Sequence, residues 1–289
     1  MENITILGTG LLGSGVAQNL LDKGVPVVVW NRTREKAEVL EARGAIAARD
    51  IHDAVRGSAR VHLVLTADDA VDDVLAEALP HIAPGTPVID HSTNLPARVR
   101  ERFERLRSQG IRYLHAPVFM SPANAASGTG LIVVSGPASE VEAITPALTM
   151  MTGRVWNAGE RPDAASIHKL SGNAVLIALA GVMGDLLAMG ESEGMSPDEV
   201  ISLFEVFKPA GNLSLIGPRV ARRGTGPTSF ELTTARKDVR LMLEAAGGGN
   251  GLVVLPGIAA AMDAAIAEGH AGKDYAVFAW PRGRAKGTT

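Results

Sequence analysis

A glycine-rich turn, Gly8-Thr9-Gly10-Leu11-Leu12-Gly13, stands directly after the apolar run Ile4 to Leu7 and opens the amphipathic segment Leu11 to Leu21. In a strand–turn–helix setting the first glycine permits the tight turn, the second lets a pyrophosphate approach the backbone, and the third lets helix and strand pack closely. The phosphates then meet the helix N-terminus, where free N–H groups and the helix dipole favour negative charge. Glycine-rich turns are common in a chain with 32 glycines. The placement between strand and helix, more than the spacing, therefore carries the expectation of a dinucleotide site built from Gly8, Thr9, Gly10, Leu11, Leu12 and Gly13.

The alternation begun by this turn continues through the first half. Ile4 to Leu7, Val25 to Trp30, Val61 to Leu65, Pro87 to Ile89, Tyr113 to Ala116, Leu131 to Val134 and Val155 to Trp156 read as strands. Between them Leu11 to Leu21, Arg34 to Ala42, Val71 to Leu79, Pro96 to Arg107 and Ser139 to Met150 carry helical spacing. This rhythm predicts βαβ units and a mostly parallel, doubly wound sheet. Beyond about residue 160 no strand pattern returns. Ala164 to Glu193 is one long Ala-rich run, followed by Pro197 to Phe207, Leu213 to Arg223, Thr234 to Ala246 and Leu255 to Glu268. The expected architecture is α/β, with a Rossmann-type doubly wound parallel sheet over 1–161 binding the nucleotide. An all-α domain over 162–289 is expected to serve substrate binding and dimerisation, and Pro281 to Thr289 reads as a loose polar tail.

With 289 residues the chain exceeds the size at which one core usually splits in two. Its net charge of -3 provides no basic field for a polyanion, which argues against nucleic acid and anionic membrane as partners. The absence of cysteine excludes disulfides, thiolate zinc sites and thiol nucleophiles, and suits a reducing compartment. Any redox chemistry must be borrowed from a cofactor. No basic or apolar leader precedes Ile4, and no uncharged run approaches ~20 residues. A soluble, cytoplasmic chain is expected. His52, His62, His81, His91, His168 and His270 form no HxxxH or HExxH grouping, so no metal is expected.

The second strand ends at Trp30 and is followed by Asn31-Arg32-Thr33. A site for the unphosphorylated dinucleotide usually has Asp or Glu there to accept from the ribose 2′-OH. A carboxylate would repel a 2′-phosphate, whereas Arg32 offers charge-assisted bonds to one and Thr33 a hydroxyl. NADP(H) is therefore the expected cofactor, with Lys36 either adding to the field or lying free on the surface. Further contacts are expected at the carboxyl ends of later strands, from Leu65, Thr66 and Thr93, with Ser92 facing the substrate. The alternative for Ser92 and Thr93 is helix capping ahead of Leu95-Pro96.

Hydride arriving at a carbonyl carbon leaves charge on oxygen, so such a site needs a proton donor. Lys169 and Asn173 stand four apart on one helical face, and Lys169 is the only Lys or Arg between Arg161 and Lys208. A charge in so apolar a helix is unfavourable unless it is used. Lys169 is thus the candidate acid/base and Asn173 its assistant, both also touching substrate.

These residues, with Asp90 to Thr93, Ala116-Pro117-Val118, Gly128-Thr129 and Lys237-Asp238, resemble the β-hydroxyacid dehydrogenase family over nearly the whole chain. The resemblance implies that the Lys169 position is the general acid/base, that the Asn173 position assists it, and that the Lys237 position lies near cofactor and substrate. It implies a small-molecule substrate entering between two domains and a homodimer or tetramer. One departure stands out. Where the family typically follows Ala-Pro-Val with a Ser-Gly-Gly turn whose amides hold a substrate carboxylate, this chain reads Phe119-Met120-Ser121-Pro122-Ala123-Asn124. The expected substrate wall is Val118, Phe119, Met120 and Ser121, with Ser121 and Asn124 replacing part of the lost binding. Phe230 is expected either to line the substrate site or to pack in the core. His115, where the family often has Asp, reads as structural. The activity implied is NADPH-linked interconversion of a small carbonyl compound and its alcohol. Imine reduction on the same scaffold and a non-catalytic NADPH-binding scaffold are the alternatives.

Overall fold

The computed structural model describes residues 3–280; the expected polar tail lies outside them. It divides into two compact units between Asn173 and Ala174. The division falls inside the long helix, whereas the sequence suggests a boundary ahead of it, at 161/162.

In the first unit the strands are β1 (Ile4–Leu7), β2 (Val27–Trp30), β3 (Ile46–Ala47), β4 (Arg60–Leu63), β5 (Pro87–Asp90), β6 (Arg112–His115), β7 (Val118–Phe119), β8 (Leu131–Val134) and β9 (Val155–Asn157). The helices are α1 (Leu11–Asp22), α2 (Glu35–Glu38), α3 (Ile51–Val55), α4 (Asp68–Ala78), α5 (Pro96–Ser108), α6 (Pro122–Ser127), α7 (Ala138–Thr152) and the start of α8 (Ala164–Ser192). Among the described residues β3-β2-β1-β4-β5-β6 form one sheet, parallel throughout. The order reverses at β1, so the connections leaving the paired strands β1 and β4 run to opposite sides, at the point where such sheets take their ligands. A smaller sheet, β7-β8-β9, pairs β7 antiparallel to β8 and β8 parallel to β9.

The strands read as continuous apolar runs because both faces are covered. Ile4, Ile6, Val27, Val29 and Ile89 enter one core, and Leu7, Val28, Val61, Leu63 and Val88 enter the other. The alternation along each strand assigns these cores to opposite faces of the sheet. Elements without a clear sequence pattern are the shortest: the two-residue strands β3 and β7, and the short helices α3 and α6. The helix expected over Arg34 to Ala42 is a single turn, α2, followed by the tighter turn Val39–Arg43, which Gly44 ends with a left-handed φ of 94°.

The second unit continues α8 and adds α9 (Pro197–Val206), α10 (Leu213–Ala221), α11 (Leu232–Ala245) and α12 (Leu255–Ala265). Leu232, Ala235, Val239, Ala259, Met262 and Val277 form its core. Asp185, itself buried, accepts from the backbone N–H groups of Val253, Val254 and Leu255 at 2.6, 2.8 and 2.7 Å, and so fixes the start of α12 to α8.

Candidate active site

The three glycines of the first turn have different physical reasons. Gly8 has φ +105°, and a Cβ there would lie 2.3 Å from the Val64 carbonyl oxygen. At Gly13 a Cβ would lie 1.9 Å from the Gly8 carbonyl oxygen, so α1 touches the turn backbone. At Gly10 nothing lies within 4 Å; the space a side chain would fill is open. Gly10 caps α1 without a side-chain hydrogen bond, and the first turn carries no acidic residue. Thr9 is buried with its hydroxyl oxygen unpartnered, and Leu11 projects with 81% exposure. An open backbone approach, an uncapped helix start and an unused buried hydroxyl fit a bound diphosphate.

Asn31 holds this turn from below. Its side-chain oxygen accepts from the Thr9 N–H at 3.0 Å, and its amide nitrogen donates to the Thr33 carbonyl at 2.9 Å. With both ends engaged, Asn31 shapes the site through the turn it braces. Arg32, Thr33 and Lys36 are exposed on the rim of a groove of about 390 Å³, whose walls include Gly8, Gly10, Leu65 and Thr66 with Asp73 and Glu77 of α4.

At the ends of β4 and β5 the polar groups are largely consumed. Ser92 is buried; its hydroxyl accepts from the Leu65 N–H at 3.1 Å, and its own N–H donates to Asp90 at 2.9 Å. Its role in the structure is to clasp two strand ends, while the neighbouring Thr93 is exposed. Asp90 also accepts from Tyr113 at 2.8 Å and Asn94 at 2.7 Å. Burial opposes its charge, yet His115 at 3.8 Å and the bonds from Ser92 hold the carboxyl below its usual range. Arg102, 1% exposed, closes this network by joining Asp72 and Asp68 to Tyr113.

Sequence reasoning missed a second buried chain. The His91 Nδ1–H donates to the Ala116 carbonyl at 2.6 Å, which leaves His91 Nε2 to accept from His62 Nδ1 at 2.8 Å. His62 Nε2 then accepts from the Arg60 Nε–H at 3.1 Å. The carbonyl at one end and the guanidinium at the other fix both tautomers as neutral. Burial lowers His91 to about 4 and takes His62 well below its ordinary value, with the mutual proximity of the rings adding to the effect on His62. No sequence spacing announces this pair; the sheet brings together residues 29 apart.

Lys169 owes its place to the clamps around the start of α8. Buried Asp163 is gripped by Arg161 at 2.6 and 2.9 Å and by Arg100. The Ser135 hydroxyl accepts from the Ala165 N–H and donates to the Pro162 carbonyl, both at 3.0 Å. Ser166 donates to the Asn94 carbonyl at 2.5 Å. One turn on, Lys169 Nζ donates to Asn173 Oδ1 at 3.0 Å and lies 4.3 Å from the Phe119 ring centroid. Lys169 is half-buried, and that burial lowers its pKa from the ordinary lysine value. A half-desolvated ammonium with one fixed partner can donate a proton outward and take one back.

Val118 and Phe119 form β7, and Met120 and Ser121 lead into α6. The Ser121 N–H donates to Asn124 Oδ1 at 3.1 Å, and the Asn124 N–H donates to Ser121 Oγ at 3.1 Å, a reciprocal cap on α6. The polar groups expected to replace a carboxylate turn are thus engaged with each other. In the helical unit Phe230 stacks edge-on against Tyr275 at 5.8 Å, and Lys237 pairs with Asp238 at 2.8 Å. Among the described residues no group of three or more His, Asp or Glu side chains gathers as for a metal.

Residues 3–159 match the family model described as the NAD binding domain of 6-phosphogluconate dehydrogenase. The NAD-dependent L-serine dehydrogenase of Pseudomonas aeruginosa is 30% identical over 96% of each chain. The glyoxylate/succinic semialdehyde reductase 2 of Arabidopsis thaliana is 29% identical over 83% of this chain and 68% of that one. Among solved structures, the imine reductase of Myxococcus stipitatus in complex with NADP+ superposes with a TM-score of 0.85 at 23% identity, covering 96% of this chain and 98% of that one.

Proposed function

This chain belongs to the β-hydroxyacid dehydrogenase family of nicotinamide-dinucleotide-binding oxidoreductases, and on that premise we propose that it reduces a small carbonyl compound with NADPH, using Lys169 as the proton donor. The observation that carries the proposal is the seat of Lys169, whose half-buried ammonium has Asn173 as its one hydrogen-bonding partner among the described residues and keeps two donor hydrogens for a substrate oxygen. When bound, the reduced nicotinamide supplies a hydride to the carbonyl carbon. The Gly10 backbone and the start of α1 would hold the diphosphate, and Arg32, Thr33 and Lys36 would hold a 2′-phosphate, with no carboxylate at position 31 to repel it. Lys169 donates its proton to the oxygen as the C=O bond becomes C–O, is left neutral, and is recharged from water. In the reverse direction the neutral amine takes the hydroxyl proton. Asn173 keeps the amine pointed throughout.

The test is turnover by Lys169→Ala beside the unaltered protein, followed as NADPH consumption with glyoxylate, succinic semialdehyde, hexanal and a cyclic imine. Reduction of the carbonyl compounds should fall by a factor on the order of 10² to 10⁴ while NADPH affinity is retained. Undiminished turnover sinks the assignment, and tight NADPH binding with silence toward every substrate would favour a scaffold. Imine reduction is the second reading, favoured by the apolar Phe119-Met120 wall; faster turnover of the imine would select it.

We extend the reading to assembly and location. Leu176, Ile177, Leu203, Val206, Leu215 and Val253 of the helical unit are exposed by 53 to 86%, more apolar surface than a solitary unit usually leaves in water. By length and composition α8 would pass for a membrane span. Its Asp185, however, is committed to three backbone bonds, which suits a protein-facing helix. A second copy of this chain is the proposed cover, giving a cytoplasmic homodimer; a monomeric mass in solution would refute it.

A further inference from the structure

We propose that Phe119 sets the substrate class: it fits the Lys169 seat to a carbonyl compound with an uncharged, apolar substituent and turns away one with a carboxylate near the reacting carbon. The inference rests on the proton-donor role of Lys169 given above.

The ring presents its face to the ammonium at 4.3 Å. An aromatic face is electron-rich, so it attracts the ammonium and repels an anion approaching by the same side. The ring is also locked. Gly172, on the helical turn after Lys169, has no side chain, and a Cβ there would lie 2.4 Å from Phe119 Cζ and 2.6 Å from Cε1. Gly130, at φ +104°, gives way in the same manner to Met120 Cγ at 2.6 Å and to the Phe119 carbonyl oxygen at 2.8 Å. The Phe119 ring therefore occupies room that Gly172 leaves for it, and Gly130 leaves room for the backbone that carries it.

Lys169 is reserved for the reacting oxygen, and the other donors that a carboxylate would need are committed elsewhere. The N–H groups of Ser121 and Asn124 cap α6. The cavity beside Leu170 of the same helix carries Asp68 and Asp69, and its arginine, Arg98, is bonded to Asp69 at 3.3 Å and Asp72 at 2.8 Å. An apolar face, occupied amides and paired charges agree on an uncharged substituent.

The test compares hexanal with succinic semialdehyde, matched in reacting group and differing in charge, in the NADPH-loaded protein. The unaltered protein should favour hexanal in kcat/KM by about tenfold or more, and Phe119→Ser should erase most of that ratio, chiefly through KM for the anion. A preference for succinic semialdehyde, or a ratio unmoved by the substitution, overturns the proposal. Should neither aldehyde turn over, the proposed reaction fails by itself, and binding of unreactive mimics decides the question of Phe119. Calorimetry of the NADPH complex should show hexanamide bound at least about tenfold more tightly than succinamate, and the reverse order overturns the proposal. Phe119→Leu keeps most of the bulk and loses the ring face, which guards against a misfolded serine variant. Its pH profile for reduction should lose activity about half a pH unit lower than the parent's, because the ammonium has lost an attractive partner; an unmoved profile counts against the ring.

Discussion

The glycine-rich turn and the Lys169 seat belong to one unit of the protein and are held in opposite ways. The turn depends on atoms that are missing, at Gly8 and Gly13, where any Cβ would strike backbone. The seat depends mainly on atoms that are present: Ser135 and Phe119 touch the first turns of α8 from outside, Arg161 grips Asp163 just ahead of it, and Ser166 and Asn173 bond from within it, with Gly172 alone giving room to the ring. Backbone cannot move aside, but a hydrogen-bonded side chain can be replaced at modest cost. The turn should therefore fail abruptly on substitution, and the seat should degrade by degrees.

The largest expected effect is at Gly13. Gly13→Ala drives a methyl into the Gly8 carbonyl and should destabilise the fold by about 3 kcal/mol or more. Gly10→Ala, with open space around it, should leave urea unfolding nearly unchanged and weaken NADPH binding. Equal stability losses in the two variants would break the contrast.

The buried histidine pair gives an intermediate effect. Both rings are neutral in the folded protein, so the unfolded chain takes up more protons below about pH 6.5. Stability is complete above that pH and falls as pH drops toward about 4, the His91 value. His91 alone contributes about 1.4 kcal/mol per pH unit in that window, and His62 acts in the same direction. Unfolding free energies at pH 7 and pH 5 should differ by about 2 kcal/mol or more. The lowered carboxylates Asp72, Asp90 and Asp163 lose their contribution only as pH falls through their own, lower range, so they do not confuse the measurement. His91→Gln should reduce the difference to the part that His62 contributes, and a flat profile in the parent would remove the neutral relay.

The smallest effect is at Ser166. Ser166→Ala removes the bond to the Asn94 carbonyl and should lower stability by about 1 kcal/mol. It should also slow turnover severalfold with NADPH binding unchanged, since the clamp aims Lys169. A stability loss without a change in rate would show that the clamp serves the fold alone.

These regions also differ in how far the sequence discloses them. The turn, the alternation of strands and helices and the Lys169/Asn173 pair are local patterns, with spacing set by one strand or one helix, and they can be read directly. The clamp from Ser166 to Asn94 spans 72 positions, and the histidine relay 29; such contacts exist only once the sheet is assembled. Ser92 illustrates the intermediate case. Its position at a strand end is legible, but the hydroxyl expected to face a substrate accepts from the Leu65 N–H. Asn31 is similar, since its place suggests a ligand contact and its amide braces the turn.

Gly172 and Phe119 are 53 positions apart in the chain and share a single volume. A lineage that gains a side chain at 172 must shrink or lose the ring at 119 in the same step or an earlier one. The two sites are thus tied by volume: a side chain at one address has room only as far as the ring at the other recedes.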